Sequence, residues 1–208
     1  MLKLSEYFVS FQGEARWVGR IAHFFRFTGC NLNCEWCDTA DRRNVCNLEM
    51  SVDEFREIVN RGDIRHIVFT GGEPMLHKDL LIRLAKYIPN DFTVEVETNG
   101  TIKIPRELTD RSNWYWNVSP KVEFMDRYEE PPLDVRHPNV IFKFVVIDDV
   151  AGVKAFINRW EIPQDKVYLM ANSKSYLEYV ERSRTVMKLA EENRWNFSPR
   201  LQLVHYIS

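Results

Sequence analysis

Four short apolar stretches of this chain each stop at a polar motif, and that regularity restricts the fold more than any other feature. Residues 21–28 run into Cys30-Asn-Leu-Asn-Cys34-Glu-Trp-Cys37, residues 65–70 into Thr70-Gly71-Gly72-Glu73-Pro74, residues 92–98 into Glu97-Thr98-Asn99-Gly100, and residues 114–118 into Ser119-Pro120-Lys121. Aromatic and β-branched runs bounded by Gly, Pro or Asn read as strands. Residues 140–147 and 167–170 have the same character. Helical patterns lie between them. Ser51-Val-Asp-Glu54 is a capping-box signature, followed by an apolar stripe of Phe55, Ile58 and Val59. Residues 78–88 carry a second stripe through Leu80, Leu81, Leu84 and Ile88, and residues 149–160 and 176–192 read as further helices.

Alternating strands and helices imply an α/β fold with about six mainly parallel strands, because a helical crossover returns the chain to the same sheet edge. Such sheets take ligands at the C-terminal ends of their strands, where all four motifs fall. A complete eightfold barrel needs about 250 residues, so 208 residues suit a partial, TIM-like β/α barrel. The expectation is one domain, 1–208, with no internal repeat.

The cysteine run is C-x3-C-x2-C. Iron–sulfur cubanes are held by four thiolates; three in one short loop leave one iron for a small molecule. Two plainer readings compete. A structural zinc ion needs four closed ligands, and Cys46 is a possible fourth, although zinc sites more often show two separated ligand pairs. Disulfides fit poorly, since the chain has only four Cys, three of them crowded together, and no apolar leader-like segment; a reducing, cytoplasmic setting is expected. Cys46 reads as an ordinary loop thiol.

Composition narrows the partners. A formal net charge of -2 supplies no broad basic surface, so direct nucleic-acid binding is not expected. No apolar stretch approaches the roughly 20 residues of a membrane helix. The Gly71-Gly72 pair lets a ligand approach bare backbone; its alternative is a tight turn with Glu73 serving the next helix. Asn99-Gly100 and the Ser119-Pro120-Lys121 tripeptide are common alone and gain weight from following successive strands.

The cysteine spacing and the TGGEP turn resemble those of radical S-adenosylmethionine (SAM) enzymes. Ser5-Glu-Tyr-Phe-Val-Ser-Phe-Gln-Gly-Glu14, Arg26, the cysteine loop closing in Cys37-Asp38-Thr39, TGGEP, ETNG, SPK and Lys143 in a Phe-Lys-Phe-Val-Val strand together resemble the 7-carboxy-7-deazaguanine synthase (QueE) family. The resemblance covers nearly the whole chain. It implies a [4Fe–4S] cluster on Cys30, Cys34 and Cys37, and SAM lined by Trp36, Cys37, Asp38, Gly72, Ser119, Pro120 and Lys121. It implies substrate contacts from Phe11, Gln12, Gly13, Glu14, Arg26 and Thr70, and Mg²⁺ on the Thr39 hydroxyl. The implied reaction contracts the ring of 6-carboxy-5,6,7,8-tetrahydropterin to 7-carboxy-7-deazaguanine with loss of ammonia, on the route to 7-deazapurines such as queuosine. A homodimer and an external electron donor belong to the same expectation. A glycyl-radical enzyme activase shares the cysteine spacing and GGEP but has no need of FQGE and Cys-Asp-Thr; a non-catalytic metal-binding module is the alternative of another class.

Two features depart from the family's pattern. Ala15 stands where a second glycine usually follows Gln-Gly-Glu. The C-terminal run has the Pro199-Arg-Leu-Gln202 opening without the expected closing residues, so His205 and Ser208 receive no role; nor does Met170-Ala-Asn-Ser173, which falls where some members touch SAM.

Overall fold

The computed structural model describes residues 1–41 and 43–205; Ser208 lies outside the described residues. In chain order the elements are β1 (Leu2–Phe11), β2 (Ile21–Phe27), β3 (Leu48–Met50), α1 (Val52–Arg61), β4 (His66–Gly71), α2 (Lys78–Ala85), β5 (Thr93–Thr98), α3 (Arg106–Thr109), β6 (Trp114–Val118), β7 (Val140–Val146), α4 (Ala151–Trp160), β8 (Val167–Ala171), α5 (Tyr176–Asn193), β9 (Asn196–Ser198) and α6 (Leu201–His205). They form two compact units. The first comprises Met1–Ser10, Ile21–Thr98 and Ile104–Trp116; the second comprises Phe11–Arg20, Asn99–Lys103 and the chain from Asn117 on.

In the first unit the strand order is β3-β1-β2-β4-β5-β6. β2, β4 and β5 pair in parallel, with Arg26 opposite Thr70 and Val68 opposite Glu95. The crossover from β2 to β4 contains α1, whose start follows the sequence signature: Ser51 Oγ accepts from the Glu54 amide at 3.1 Å, and the Glu54 carboxylate accepts from the Ser51 amide at 2.7 Å. Gly62, in the left-handed region at φ 65°, ends the helix. Aromatic side chains fill the space under the strands. Phe25 meets Phe55 at 5.2 Å and Phe69 at 5.7 Å, and Phe69 meets Trp114 at 5.9 Å between centroids; such pairs contribute about 0.5–1.5 kcal/mol beyond their buried area. One polar pair is sealed in as well: the His66 and Glu95 side chains lie 2.9 Å apart and are both buried.

In the second unit β7, β8 and β9 are adjacent and parallel. α4 packs through Phe156, which meets Tyr128 and Phe144 edge-on at 5.1 and 5.6 Å. No helix among the described residues is long and apolar enough to cross a membrane.

Among the described residues nine strands stand where about six were expected. The additional ones are β1, β3 and β9, and the physical reason differs. β3 and β9 have three residues each, too few to show a period. β1 alternates clearly only at Leu2, Lys3 and Leu4, so its sequence reads as a polar motif. The second helix also stops at Ala85 rather than Ile88, because the last turn tightens, with the Lys86 amide on the Arg83 carbonyl at 3.3 Å, before Pro89.

Candidate active site

In the first unit, the ends of β2 and β4 deliver the cysteine loop and the TGGEP turn side by side. The Gly72 amide donates to the Phe27 carbonyl at 3.1 Å, and the Glu73 amide to the Gly29 carbonyl at 2.8 Å. This contact explains the glycines directly. A Cβ on Gly72 would sit 2.0 Å from the Gly29 carbonyl oxygen, and one on Gly71, at φ 127°, would sit 2.2 Å from that of Phe27. Close backbone approach is thus internal to the fold. Glu73 takes the turn-capping role read as the plainer alternative: its buried carboxylate accepts from the Met75 amide at 2.9 Å and the Thr98 hydroxyl at 2.7 Å.

The cysteine loop itself is a series of tight turns. The Cys37 amide donates to the Cys34 carbonyl at 3.3 Å, and the Leu32 amide lies 3.5 Å from Cys30 Sγ. Cys34 is buried, Cys30 and Cys37 are half-buried, and Cys46 is exposed beyond the loop. Burial pushes the Cys30 thiol up from its ordinary value, with the Leu32 amide pulling the other way; a bound metal would be needed to hold it as thiolate. Thr39 Oγ1 lies 3.5 Å from Cys37 Sγ. Trp36 is half-buried and Asp38 exposed on the same loop. Among the described residues, no three His, Cys, Asp or Glu side chains gather around one point as a single ion requires. A cubane asks something different of the loop, one thiolate for each of three irons.

Arg26 and Thr70 are neighbours across β2 and β4. Arg26 Nε pairs with Glu6 at 2.5 Å, and the guanidinium sits over Phe8 at 5.7 Å from the ring centroid. Thr70 donates its hydroxyl to Glu97 at 2.7 Å.

In the second unit two further motifs are held in place. Lys121 Nζ donates to Ser119 Oγ at 2.8 Å, while the Lys121 amide meets the Tyr128 hydroxyl at 2.8 Å, which in turn donates to the Asn99 carbonyl at 3.0 Å. SPK and the end of ETNG are therefore joined through one buried tyrosine that sequence reading passed over. Phe11, exposed, and Gln12, buried, open the FQGE box. The Gln12 amide donates to the Arg20 carbonyl, and its carbonyl accepts from the Gly19 amide, both at 2.8 Å. Gln12 Oε1 also accepts from the Glu14 amide at 3.1 Å. Gly13 is pressed against Gln202, whose Oε1 would lie 2.2 Å from a Cβ there.

Glu14 lies within a buried ionic cluster. Its carboxylate pairs with Lys143, with Arg200 Nε at 3.4 Å, and accepts from Gln202 Nε2 at 2.5 Å. Burial alone would raise its pKa; the charges of Lys143 and Arg200, with hydrogen bonds from Lys143 and Gln202, outweigh burial and hold it down at about 2. Ala15 has φ 58°, a left-handed conformation that costs an L-residue about 1–2 kcal/mol. Its amide is fixed on Ser198 Oγ at 2.8 Å. Replacing Ala15 with glycine removes that strain and loosens the unfolded chain by about 0.4–1 kcal/mol, so the variant is expected to melt about 2 °C higher. A lower melting temperature would show that the methyl group contributes more packing than strain.

The radical SAM superfamily model matches residues 25–113, from within β2 to the residue before β6. A 7-carboxy-7-deazaguanine synthase of Pyrobaculum aerophilum is 34% identical over 209 residues, covering 98% of this chain and 94% of that protein. The chain belongs to the 7-carboxy-7-deazaguanine synthase family. A relative of the same name from Hyperthermus butylicus is 33% identical over 98% of this chain and 92% of its own length. Among solved structures, QueE from Escherichia coli superposes with a TM-score of 0.68 at 23% identity, covering 95% of this chain and 92% of that one, which carries the fold: α/β, of the radical SAM type. Streptococcus suis SuiB bound to S-adenosylmethionine matches with a TM-score of 0.50 at 14% identity over 81% of this chain and 44% of its own. Members of the family are radical SAM enzymes of the carbon–nitrogen lyase class acting on a small molecule, and the chain is such an enzyme.

Proposed function

We propose that the chain converts 6-carboxy-5,6,7,8-tetrahydropterin to 7-carboxy-7-deazaguanine with loss of ammonia, using a [4Fe–4S] cluster, SAM and Mg²⁺. The observation that carries the reading is similarity over 98% of the chain to a 7-carboxy-7-deazaguanine synthase, a span that takes in FQGE and the Asp38-Thr39 ending of the cysteine loop as well as the general radical SAM motifs. In this reading Cys30, Cys34 and Cys37 hold the cluster, and Trp36, Cys37, Asp38, Gly72, Ser119, Pro120 and Lys121 bind SAM. The bound cofactors supply the one-electron chemistry that begins with hydrogen-atom abstraction. The protein supplies position and electrostatics. Phe11, Gln12, Gly13 and Glu14 meet the pterin; the Glu14 carboxylate, ionised throughout the neutral range, is suited to accept from N–H groups on the ring edge. Arg26 has N–H donors beyond the one committed to Glu6 and takes the substrate carboxylate, for which its planar fork is shaped. Thr70 contacts substrate at the end of β4.

Thr39 is the proposed Mg²⁺ ligand, an oxygen donor of the kind that ion takes with several waters. Thr39→Ala is expected to abolish stimulation by Mg²⁺ while leaving the visible absorbance of the cluster intact, and undiminished Mg²⁺ dependence would remove Thr39 from the site. The proposal extends to a homodimer and an external electron donor on the strength of the family, and to one working domain, 1–208, in a cytoplasmic setting on the strength of chain length and cysteine usage. Anaerobic reconstitution followed by iron, sulfide and zinc analysis tests its foundation. About four irons and four sulfides per chain are expected; one zinc per chain with neither iron nor sulfide would refute it.

A further inference from the structure

The FQGE box is gripped by a C-terminal segment that has no assigned part in the reaction. Four contacts converge on residues 13–15. The Leu201 amide donates to the Gly13 carbonyl at 3.0 Å, Ser198 Oγ accepts from the Ala15 amide at 2.8 Å, and Gln202 Nε2 donates to Glu14 at 2.5 Å. The Arg200 guanidinium faces the same carboxylate at 3.4 Å and is anchored at its other end on the Ser173 carbonyl. The grip is tight enough that Gln202 leaves no space for a side chain on Gly13, and it sustains a left-handed alanine at position 15. Backbone strain of this kind persists only where the surroundings over-determine it.

Stability alone does not require such a cluster. Buried ion pairs are weak stabilisers, and apolar residues of similar volume often serve as well. What the arrangement does secure is direction: two groups from one segment, with Lys143 of β7, fix where the Glu14 oxygens point. Misplacing a binding group by about 1 Å is enough to lower activity by orders of magnitude.

We propose that Arg200 and Gln202 are positioning residues, which orient the Glu14 carboxylate and residues 11–14 for the carboxylated pterin without touching the substrate themselves. The inference rests on the reading of residues 11–14 as the substrate box. Its test uses the reconstituted full chain carrying Gln202→Met, which keeps the volume beside Gly13 and removes the amide, together with Arg200→Met and Arg200→Lys. For Gln202→Met and Arg200→Met, both KM and the equilibrium Kd for 6-carboxytetrahydropterin are expected to rise about 10- to 100-fold, the factor attached to one hydrogen bond with a charged group. Arg200→Lys, which keeps the charge, is expected to fall between these and the unsubstituted protein. Iron content and the Kd for SAM stay unchanged. Pterin KM and Kd within twofold of the unsubstituted protein, with only a lowered melting temperature, would reduce both residues to structural ones. Should Arg200→Met not fold, the isosteric Gln202→Met decides. An unsubstituted protein that neither binds nor turns over the pterin overturns the substrate reading and this inference together; an active one with unaffected variants overturns this inference alone.

Discussion

Gly72→Ala is expected to part the TGGEP turn from the cysteine loop and to leave a protein that no longer retains iron. The new methyl carbon would lie 2.0 Å from the Gly29 carbonyl oxygen, 2.6 Å from its carbon and 3.1 Å from the Cys30 nitrogen. All three are backbone atoms, so no rotamer relieves the clash. Relief must come from moving one strand end away from the other, which breaks the Gly72-to-Phe27 and Glu73-to-Gly29 hydrogen bonds and displaces Cys30, the first of the three proposed cluster ligands. Overpacking costs about 1–3 kcal/mol even where side chains can adjust, so about 3 kcal/mol or more is expected here, a fall of roughly 6–12 °C in melting temperature. Gly19 is the control. Unlike Gly72 it has a positive φ, 85°, but nothing lies within 4 Å of a Cβ there, so Gly19→Ala meets only the left-handed penalty of about 1–2 kcal/mol and keeps its iron. A Gly72→Ala protein with full iron and sulfide and an unshifted melting curve would show that the loop does not depend on this contact.

Glu14→Gln is expected to be the most destabilising isosteric change in the second unit. It leaves the Lys143 and Arg200 side chains, 6% and 5% exposed, without their anion, and removing one partner of a buried pair costs about 3–5 kcal/mol. The same cluster fixes a pH dependence. Because the Glu14 pKa falls from 4.5 to about 2 on folding, ionised Glu14 stabilises the native state fully above pH about 4.5, and this contribution is lost as pH falls toward 2. At about 1.4 kcal/mol per pH unit it is on the order of 3 kcal/mol. Urea unfolding at pH 7 and at steps down to pH 2 should show a steep acid loss in the unsubstituted protein and a shallower one in Glu14→Gln. Parallel acid limbs in the two proteins would place the titrating carboxylate elsewhere.

These two positions also show where sequence reading reaches and where it stops. The strands that end at TGGEP, ETNG and SPK and the capping box at Ser51 are local signals, complete within a few residues, and the structure has them as expected. The cysteine run is an equally local signal, three thiols within eight residues, and the cluster proposed for it rests on that spacing and on the family. The glycines of TGGEP were visible, yet their reason was not: they make room for the backbone of Phe27 and Gly29, brought alongside by parallel pairing. Glu14 is the clearer case. Its partners Lys143 and Gln202 lie 129 and 188 residues away in sequence, a separation at which no spacing rule operates. Ala15 could be seen to depart from the family pattern, whereas its strain follows only from the backbone angle. Arg26 is expected only to contact substrate, and its ion pair with Glu6 follows from β1, itself nearly invisible to periodicity.

Whether this chain contracts a pterin ring is decided by the mass of what it makes. Reconstituted, reduced protein incubated anaerobically with SAM, Mg²⁺ and 6-carboxy-5,6,7,8-tetrahydropterin is predicted to yield 7-carboxy-7-deazaguanine and one equivalent of ammonia, with SAM needed only in catalytic amount. Recovery of the pterin unchanged, from protein that carries its full cluster and cleaves SAM, would contradict the account.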